Sequence, residues 1–459
     1  MKTLPTFGGI QYTKFLIVGL GISGLWMARL LGKKGAEITV SELRPETDLD
    51  ADLCREIRDL GANLETGGHN EDSFFKSQMI IISPGVPHDS EILLKAKKRN
   101  IPVIGELEFA SRMIDTPIIA VTGTNGKSTV TAFLGNLLEN AGLEVFVGGN
   151  IGTPLAAYAA SEKKADYLVI EASSFQLDTI ETFCPFVSVI LNISPDHLDR
   201  YPSYEAYVQS KLKIFKNQVQ GQYAIFNDED ENLHSQRLDS GVSVLLYGKE
   251  KSKGRHAFIE NDRIIACIDE EKSESFSLRS FNLPGLHNLE NLLAAVIVGQ
   301  VLEIDISVIQ KTINEFKGLQ NRLEYVGEIN GVMFYNDSKA TNIDSAVRAI
   351  SSFDHPLVLI AGGRHKGSDY DPLVEAANTN VKAAVLIGEA KELLAESFKG
   401  IIPCKTADDM FRAVSMAFSM AKPGDIVLLA PACSSFDMFS DYSQRGMVYR
   451  TAVERLSRG

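Results

Sequence analysis

Short apolar runs, each ending in a small-residue or polar turn, alternate along the chain with longer segments of helical period. Apolar runs without polar alternation suit strands of a parallel sheet covered on both faces. The pattern predicts strands over 14–18, 38–40, 79–82, 117–121, 167–170, 187–191, 332–335, 356–361, 383–387 and 425–430. Helices are predicted from Gly24 to about Gly32 or Gly35, over 130–138, over 204–215 and through the Ala-rich segment that follows Gly285. The charged, weakly periodic stretch 228–283, with short alternating runs such as 242–246, predicts edge strands and hairpins. At 459 residues, a prior of about 150 residues per domain gives three domains. The predicted fold class is α/β. A Rossmann-like N-terminal domain spans 1–112, a central P-loop ATPase-type parallel-sheet domain 113–318 and a C-terminal Rossmann-like α/β domain 319–459.

The most informative turn joins the strand at 117–121 to its helix: Thr122, Gly123, Thr124, Asn125, Gly126, Lys127, Ser128 and Thr129. Glycines let main-chain N–H groups converge on phosphate oxygens, and a helix N-terminus adds its dipole. A Lys followed by hydroxyls at that helix start suits the β- and γ-phosphates and a Mg²⁺ ion. Val121 stands where the strict pattern has its first Gly, so an ordinary Gly-rich β-to-α turn is the plain alternative. The N-terminal block carries a second such turn, Gly19, Leu20, Gly21, Ile22, Ser23 and Gly24, with Glu42 at the end of the next strand. That spacing is a dinucleotide fingerprint, but the turn accepts any diphosphate.

Hydrophobic content of 44% and charged content of 23% are those of a globular protein. A formal charge of −13 argues against nucleic-acid or anionic-membrane partners, so any phosphate site must be local. Five scattered cysteines, none in C-x-x-C, fit reduced thiols in the cytoplasm rather than disulfides or zinc. The apolar run 15–28 imitates a signal-peptide core but is better explained as strand, turn and helix, and no run reaches the roughly 20 residues of a membrane span.

Other candidates cluster at predicted strand ends. Glu171, with Asp196, His197 and Asp199, offers ligands for a divalent cation, Mg²⁺ suiting the oxygens. Lys211, alone, reads as a solvated helix lysine. The polar loop Asn336, Asp337, Ser338, Lys339, Ala340, Thr341, Asn342 suits ribose and phosphate, though a plain hydrophilic connection would look alike. The loops at 362–367 and 431–437 offer cations and hydroxyls beside flexible backbone, as a carboxylate site would. Cys433 reads as a small buried thiol rather than a nucleophile.

Five of these motifs, in this order, resemble the Mur ligases: residues 122–129, 171–177, 196–200, 336–342 and 431–437. The resemblance covers essentially the whole chain and is strongest to the D-glutamate-adding branch. The D-N-P-R motif of the diaminopimelate- or lysine-adding branch is missing. It implies ATP-dependent ligation of D-glutamate to UDP-N-acetylmuramoyl-L-alanine through an acyl phosphate, in the cytoplasm, by a monomer with small-molecule partners. Lys127, Glu171, His197 and Lys211 then form the catalytic set. Gly123, Thr124, Asn125, Gly126, Lys127, Ser128, Thr129, Asn288, Asn291, Arg322, Asp337 and Lys339 bind ATP. Mg²⁺, as two ions, falls to Ser128, Glu171, His197 and Lys211, the last as a CO₂-derived carbamate. The UDP-substrate falls to residues 19–24, Glu42, Ser83, Pro84, Gly85 and Asn150, and D-glutamate to Thr341, Lys366, Ser435 and Tyr442. Leu43 departs from the family, where a Thr often meets the uracil. Rival readings are a Mur-type ligase with another acceptor, an NAD-dependent oxidoreductase built on residues 19–24 and Glu42, and a nucleotide sensor without catalysis.

Overall fold

A computed structural model describes the chain except residues 1–5, 8, 198–199, 235, 237, 239–240, 270–271, 282, 366, 368 and 459. Its strands form three large sheets in succession, drawn from residues 14–105, 118–277 and 324–429. Among the described residues, no helix is long and apolar enough to cross a membrane.

The first sheet is wholly parallel, with strands in the order Asn63–Thr66, Glu37–Glu42, Lys14–Val18, Met79–Ile82 and Val103–Gly105. Chain direction across the sheet reverses between Lys14–Val18 and Met79–Ile82, and a ligand crevice opens at such a switch point, outside the carboxyl ends of the strands.

The second sheet has nine strands. Its parallel part runs Arg255–Glu260, Ser243–Tyr247, Tyr223–Asn227, Val187–Ile190, Ile118–Thr122, Tyr167–Glu171 and Val145–Gly149, and two antiparallel strands, Arg263–Asp269 and Lys272–Ser277, extend one edge. The stretch expected to give only edge strands and hairpins thus adds the parallel strand Ser243–Tyr247 before its hairpins. Ile119, Ala120, Val121, Leu168, Val169 and Ile170 are fully buried because helices cover both faces. One cover is Lys127–Asn140, and another is the Ala-rich helix Leu286–Val301, which buries an unbroken run from Leu292 to Gly299. Each such aliphatic side chain contributes about 1.5–3 kcal/mol on burial.

The third sheet orders Glu324–Ile329, Val332–Asn336, Ile426–Leu429, Leu357–Gly362, Val381–Ile387 and Cys404–Thr406; only the first is antiparallel to its neighbour. Val332–Asn336, Ile426–Leu429 and Leu357–Gly362 are parallel neighbours that end side by side, so the loops starting at Asn336, Ala430 and Gly362 share one edge.

Two buried glutamates tie the first sheet's unit to the second. Glu108 accepts the N–H groups of Glu181, Thr182 and Phe183 at 2.9–3.0 Å and an Arg112 donor at 2.6 Å. Glu106 accepts the Ala156 N–H at 2.6 Å through one oxygen, while its other carboxylate oxygen is buried without a partner among the described residues.

Candidate active site

Three adjacent strand ends of the second sheet meet at its switch point. The turn after Ile118–Thr122 wraps the N-terminus of the helix Lys127–Asn140, with Gly126 at its N-cap. Gly126 has φ 87°, and a Cβ there would sit 2.2 Å from Asn291 Oδ1, so only glycine fits. Asn192, following Val187–Ile190, clasps the turn by accepting from the Asn125 N–H at 2.9 Å and donating to its carbonyl at 3.1 Å. Lys127 Nζ donates to the carbonyls of Gly123 and Thr124, both at 2.9 Å. Glu171, at the end of Tyr167–Glu171, is 1% exposed; its carboxylate accepts from Ser128 Oγ at 2.5 Å and from Asn150 Nδ2 at 2.8 Å.

Lys211 lies on the helix Tyr204–Leu212, 2% exposed, not on a solvated face. Its Nζ donates to the Gly123 carbonyl at 2.7 Å and sits 4.7 Å from the Tyr207 ring centroid. Burial, then the charge of Lys127, pushes its ammonium pKa well below the ordinary lysine value; Lys127 is lowered too, chiefly by burial. His197 holds a left-handed backbone, φ 55°, which a non-glycine residue rarely adopts. Its ring packs edge-on against Phe175 at 4.9 Å, with Nε2 3.7 Å from Asp196.

The C-terminal sheet closes over this point. Arg322 donates to Ser128 Oγ at 2.7 Å, and Asn342 donates to Asp196 at 2.9 Å. Asp344 accepts from Asn125 Nδ2 at 2.5 Å and Ser194 Oγ at 2.9 Å, and Ser345 Oγ donates to the Asn125 side chain at 2.7 Å. A cleft of about 330 Å³ results, lined by Thr124, Asn125, Gly126, Lys127, Thr129, Asn150, Glu171, His197, Lys211, Asn288, Asn291, Arg322, Asp337, Lys339 and Thr341. Desolvation pushes the Asp337 carboxyl up to about 7, against the charge of Arg322.

The other expected residues lie elsewhere. Ser83 Oγ donates to the Gly19 carbonyl at 2.8 Å, and Glu42 accepts the Leu20 N–H at 2.7 Å, so residues 19–24, Glu42 and Ser83 share the carboxyl edge of the first sheet. Burial favours neutral Glu42, but the Arg44 guanidinium and the N–H groups of Leu20 and Arg44 prevail and hold it at about 2. Asn150, expected near the sugar diphosphate, stands beside Glu171. Ser435 is buried, and Tyr442 offers its ring to Lys339 at 3.9 Å. Cys433 is 1% exposed and hydrogen-bonded with Tyr370 at 3.3 Å, as a buried thiol should be. Lys366 and Asp199 fall outside the described residues.

Family models match in chain order: a Mur ligase MurD-like N-terminal domain over 13–105, a Mur ligase middle domain over 121–299 and a Mur ligase glutamate ligase domain over 321–433. A curated relative from Desulfosudis oleivorans, named UDP-N-acetylmuramoylalanine–D-glutamate ligase, is 42% identical over 100% of this chain and 99% of its own. The chain belongs to the Mur ligase family. A Geotalea daltonii relative of the same name is 40% identical over 98% of this chain and 99% of its own. The solved MurF ligase from Thermotoga maritima in complex with ADP shares the fold, with a TM-score of 0.60, 18% identity and coverage of 92% and 96%. As a Mur ligase, the protein is an ATP-dependent enzyme of mixed α/β build.

Among the described residues, no three His, Cys, Asp or Glu side chains gather as a metal cage. The expected acid cluster resolves into a Ser128–Glu171 pair and an Asp196–His197 pair. This donor set still fits Mg²⁺ in a Mur ligase, because that ion usually takes one or two carboxylates and completes its shell with phosphate and water. Asp344 and Ser345 went unnoticed in the sequence. Asn342 as the N-cap of Ile343–Ile350 was the signal available for that helix.

Proposed function

We propose that this chain joins D-glutamate to UDP-N-acetylmuramoyl-L-alanine, with ATP cleaved to ADP and phosphate, as a cytoplasmic step of peptidoglycan synthesis carried out by a monomer. Identity of about 40% to relatives bearing that name, over essentially the whole of both chains, carries the reading. The domains divide at residues 112 and 318, giving a UDP-substrate unit, an ATP unit and an acceptor unit.

The substrate carboxylate attacks the γ-phosphorus and ADP leaves. The D-glutamate nitrogen then attacks the acyl carbon, the C–O bond to phosphate breaks, and the amine proton is lost. Two anions must approach one another, so positioning and charge compensation supply most of the rate. Lys127, the N–H groups of residues 124–129 and Arg322 take the phosphate charge. Asn288 and Asn291 border the base, while Asp337 and Lys339 flank the ribose and phosphates. Mg²⁺, held by Ser128, Glu171 and His197, with Lys211 joining as a carbamate, would neutralise developing oxyanion charge. A buried, deprotonation-prone Lys211 amine favours CO₂ capture, which needs a neutral nitrogen. Thr341, Lys366, Ser435 and Tyr442 hold D-glutamate. Closure of the third sheet over the second excludes the water that would hydrolyse the acyl phosphate.

Phosphate release with UDP-N-acetylmuramoyl-L-alanine, ATP and Mg²⁺ tests this across D-glutamate, L-glutamate, L-alanine, L-lysine and meso-diaminopimelate. Turnover with D-glutamate alone is expected. Turnover with another amino acid instead would make the chain a Mur-type ligase of different acceptor.

A further inference from the structure

The helix Tyr442–Arg458 places Arg445 in its first turn, 1% exposed and among the largest fully buried side chains of the protein. Its guanidinium spans two loops. Nε donates to Ser338 Oγ at 3.0 Å and Nη2 to the Ser338 carbonyl at 2.8 Å, while Nη1 donates to the Cys433 carbonyl at 3.1 Å. Ser338 Oγ in turn donates to the Tyr442 carbonyl at 2.8 Å. A third loop abuts the same group. A Cβ on Gly363 would stand 3.2 Å from Arg445 Nη1, and the Arg364 N–H donates to the Ser434 carbonyl at 2.9 Å. Thr341, Ser435 and Tyr442 lie within three residues of these contacts, on the segments that share the sheet's edge.

Two physical costs attend this placement. All three of the guanidinium's hydrogen bonds go to neutral oxygens, and no carboxylate of the described residues forms an ion pair with it. A buried charge of that kind is expensive unless an anion balances it. A cation in the first turn of a helix also meets the positive end of the dipole. Burial lowers its pKa to about 10, which leaves it charged at neutral pH, with Asp437 and Asp337 acting only at a distance. A glutamine of similar reach could donate to one of these carbonyls without the charge. The positive charge itself is therefore the feature in need of a role.

We propose that Arg445 is a positioning residue that sets acceptor specificity: it clamps the Ser338 loop to the Cys433 loop and supplies the buried positive charge that favours an amino acid with two carboxylates. This rests on the acceptor reading above. The test is steady-state kinetics of Arg445→Gln and Arg445→Lys, varying D-glutamate and ATP separately, with a melting curve for each protein. Arg445→Gln is expected to raise KM for D-glutamate at least about tenfold and leave KM for ATP within about twofold, and Arg445→Lys to fall between it and wild type. An unchanged KM for D-glutamate in Arg445→Gln overturns the proposal. So does an equal rise in both KM values with a lowered melting temperature, which marks a purely structural arginine. Should Arg445→Gln not fold, Arg445→Lys decides: a rise of about threefold or more for D-glutamate alone supports the proposal, and a wild-type value overturns it. Absent wild-type turnover with D-glutamate would instead sink the acceptor reading.

Discussion

Glu106 shows how a single residue can carry a legible thermodynamic signature. Burial raises its carboxyl from 4.5 to about 7, against the Ala156 N–H, and one of its oxygens has no partner among the described residues. Below about pH 4.5 the group is protonated in folded and unfolded chains alike and contributes nothing. Between there and pH 7 the folded state keeps a proton that the unfolded state has lost, so stability falls as pH rises. Above pH 7 the penalty is constant, on the order of a few kcal/mol. Glu106→Gln removes the ionisation, so its melting temperature relative to wild type should climb between pH 5 and pH 8 and level off above. A pH-independent difference would show that Glu106 is not held neutral. Nothing in the sequence marked this glutamate or Glu108: an acid in a short helix looks like a surface residue, and its burial depends on a helix some 50 residues downstream.

At the scale of elements, the apolar runs placed the most apolar buried strands, because parallel strands covered on both faces run continuously in Val, Ile and Leu. They did not place Val145–Gly149, Tyr223–Asn227 or Glu324–Ile329, where Gly, Tyr, Asn or Glu interrupt or bound the run. The short strands Asn63–Thr66 and Val103–Gly105 escaped, since each pairs along one side only and has too few residues for a pattern. The turn 122–129, Glu171 and the loop from Asn336 were legible as cleft-lining segments because a crevice opens at the carboxyl ends of strands where the sheet reverses. Lys211 was not legible from spacing; its burial comes from packing under Gly123, and only family resemblance singled it out. The helix Ile343–Ile350 was missed as a functional element for a similar reason, its partners Asn125 and Ser194 lying 219 and 150 residues away. Asp344→Ala should loosen the helix from the turn, leaving only the Ser345 bond to Asn125 from this helix, and leave Arg348 without its 3.0 Å partner. Two lost hydrogen bonds at about 0.5–1.5 kcal/mol each predict a fall in kcat of roughly tenfold to a hundredfold. KM for the UDP-substrate should hold, since the diphosphate site proposed at residues 19–24 lies on another sheet. A rise in that KM with kcat intact would refute the closing role of this helix.

Among the described residues, three large sheets each contribute one component at their carboxyl edges: the crevice proposed for the diphosphate, the turn proposed for the γ-phosphate with its acids and lysines, and three loops around a buried arginine. The chemistry ascribed to the whole molecule needs all three at once, since the carboxylate, the γ-phosphate and the amine must meet in one closed cleft. The most direct test follows oxygen. UDP-N-acetylmuramoyl-L-alanine labelled with ¹⁸O in its carboxylate is turned over with ATP and D-glutamate, and the phosphate released is analysed by mass. An acyl phosphate predicts one ¹⁸O in each phosphate, because the C–O bond to the labelled oxygen breaks when the amine adds. Unlabelled phosphate, formed alongside the amide, would contradict the account.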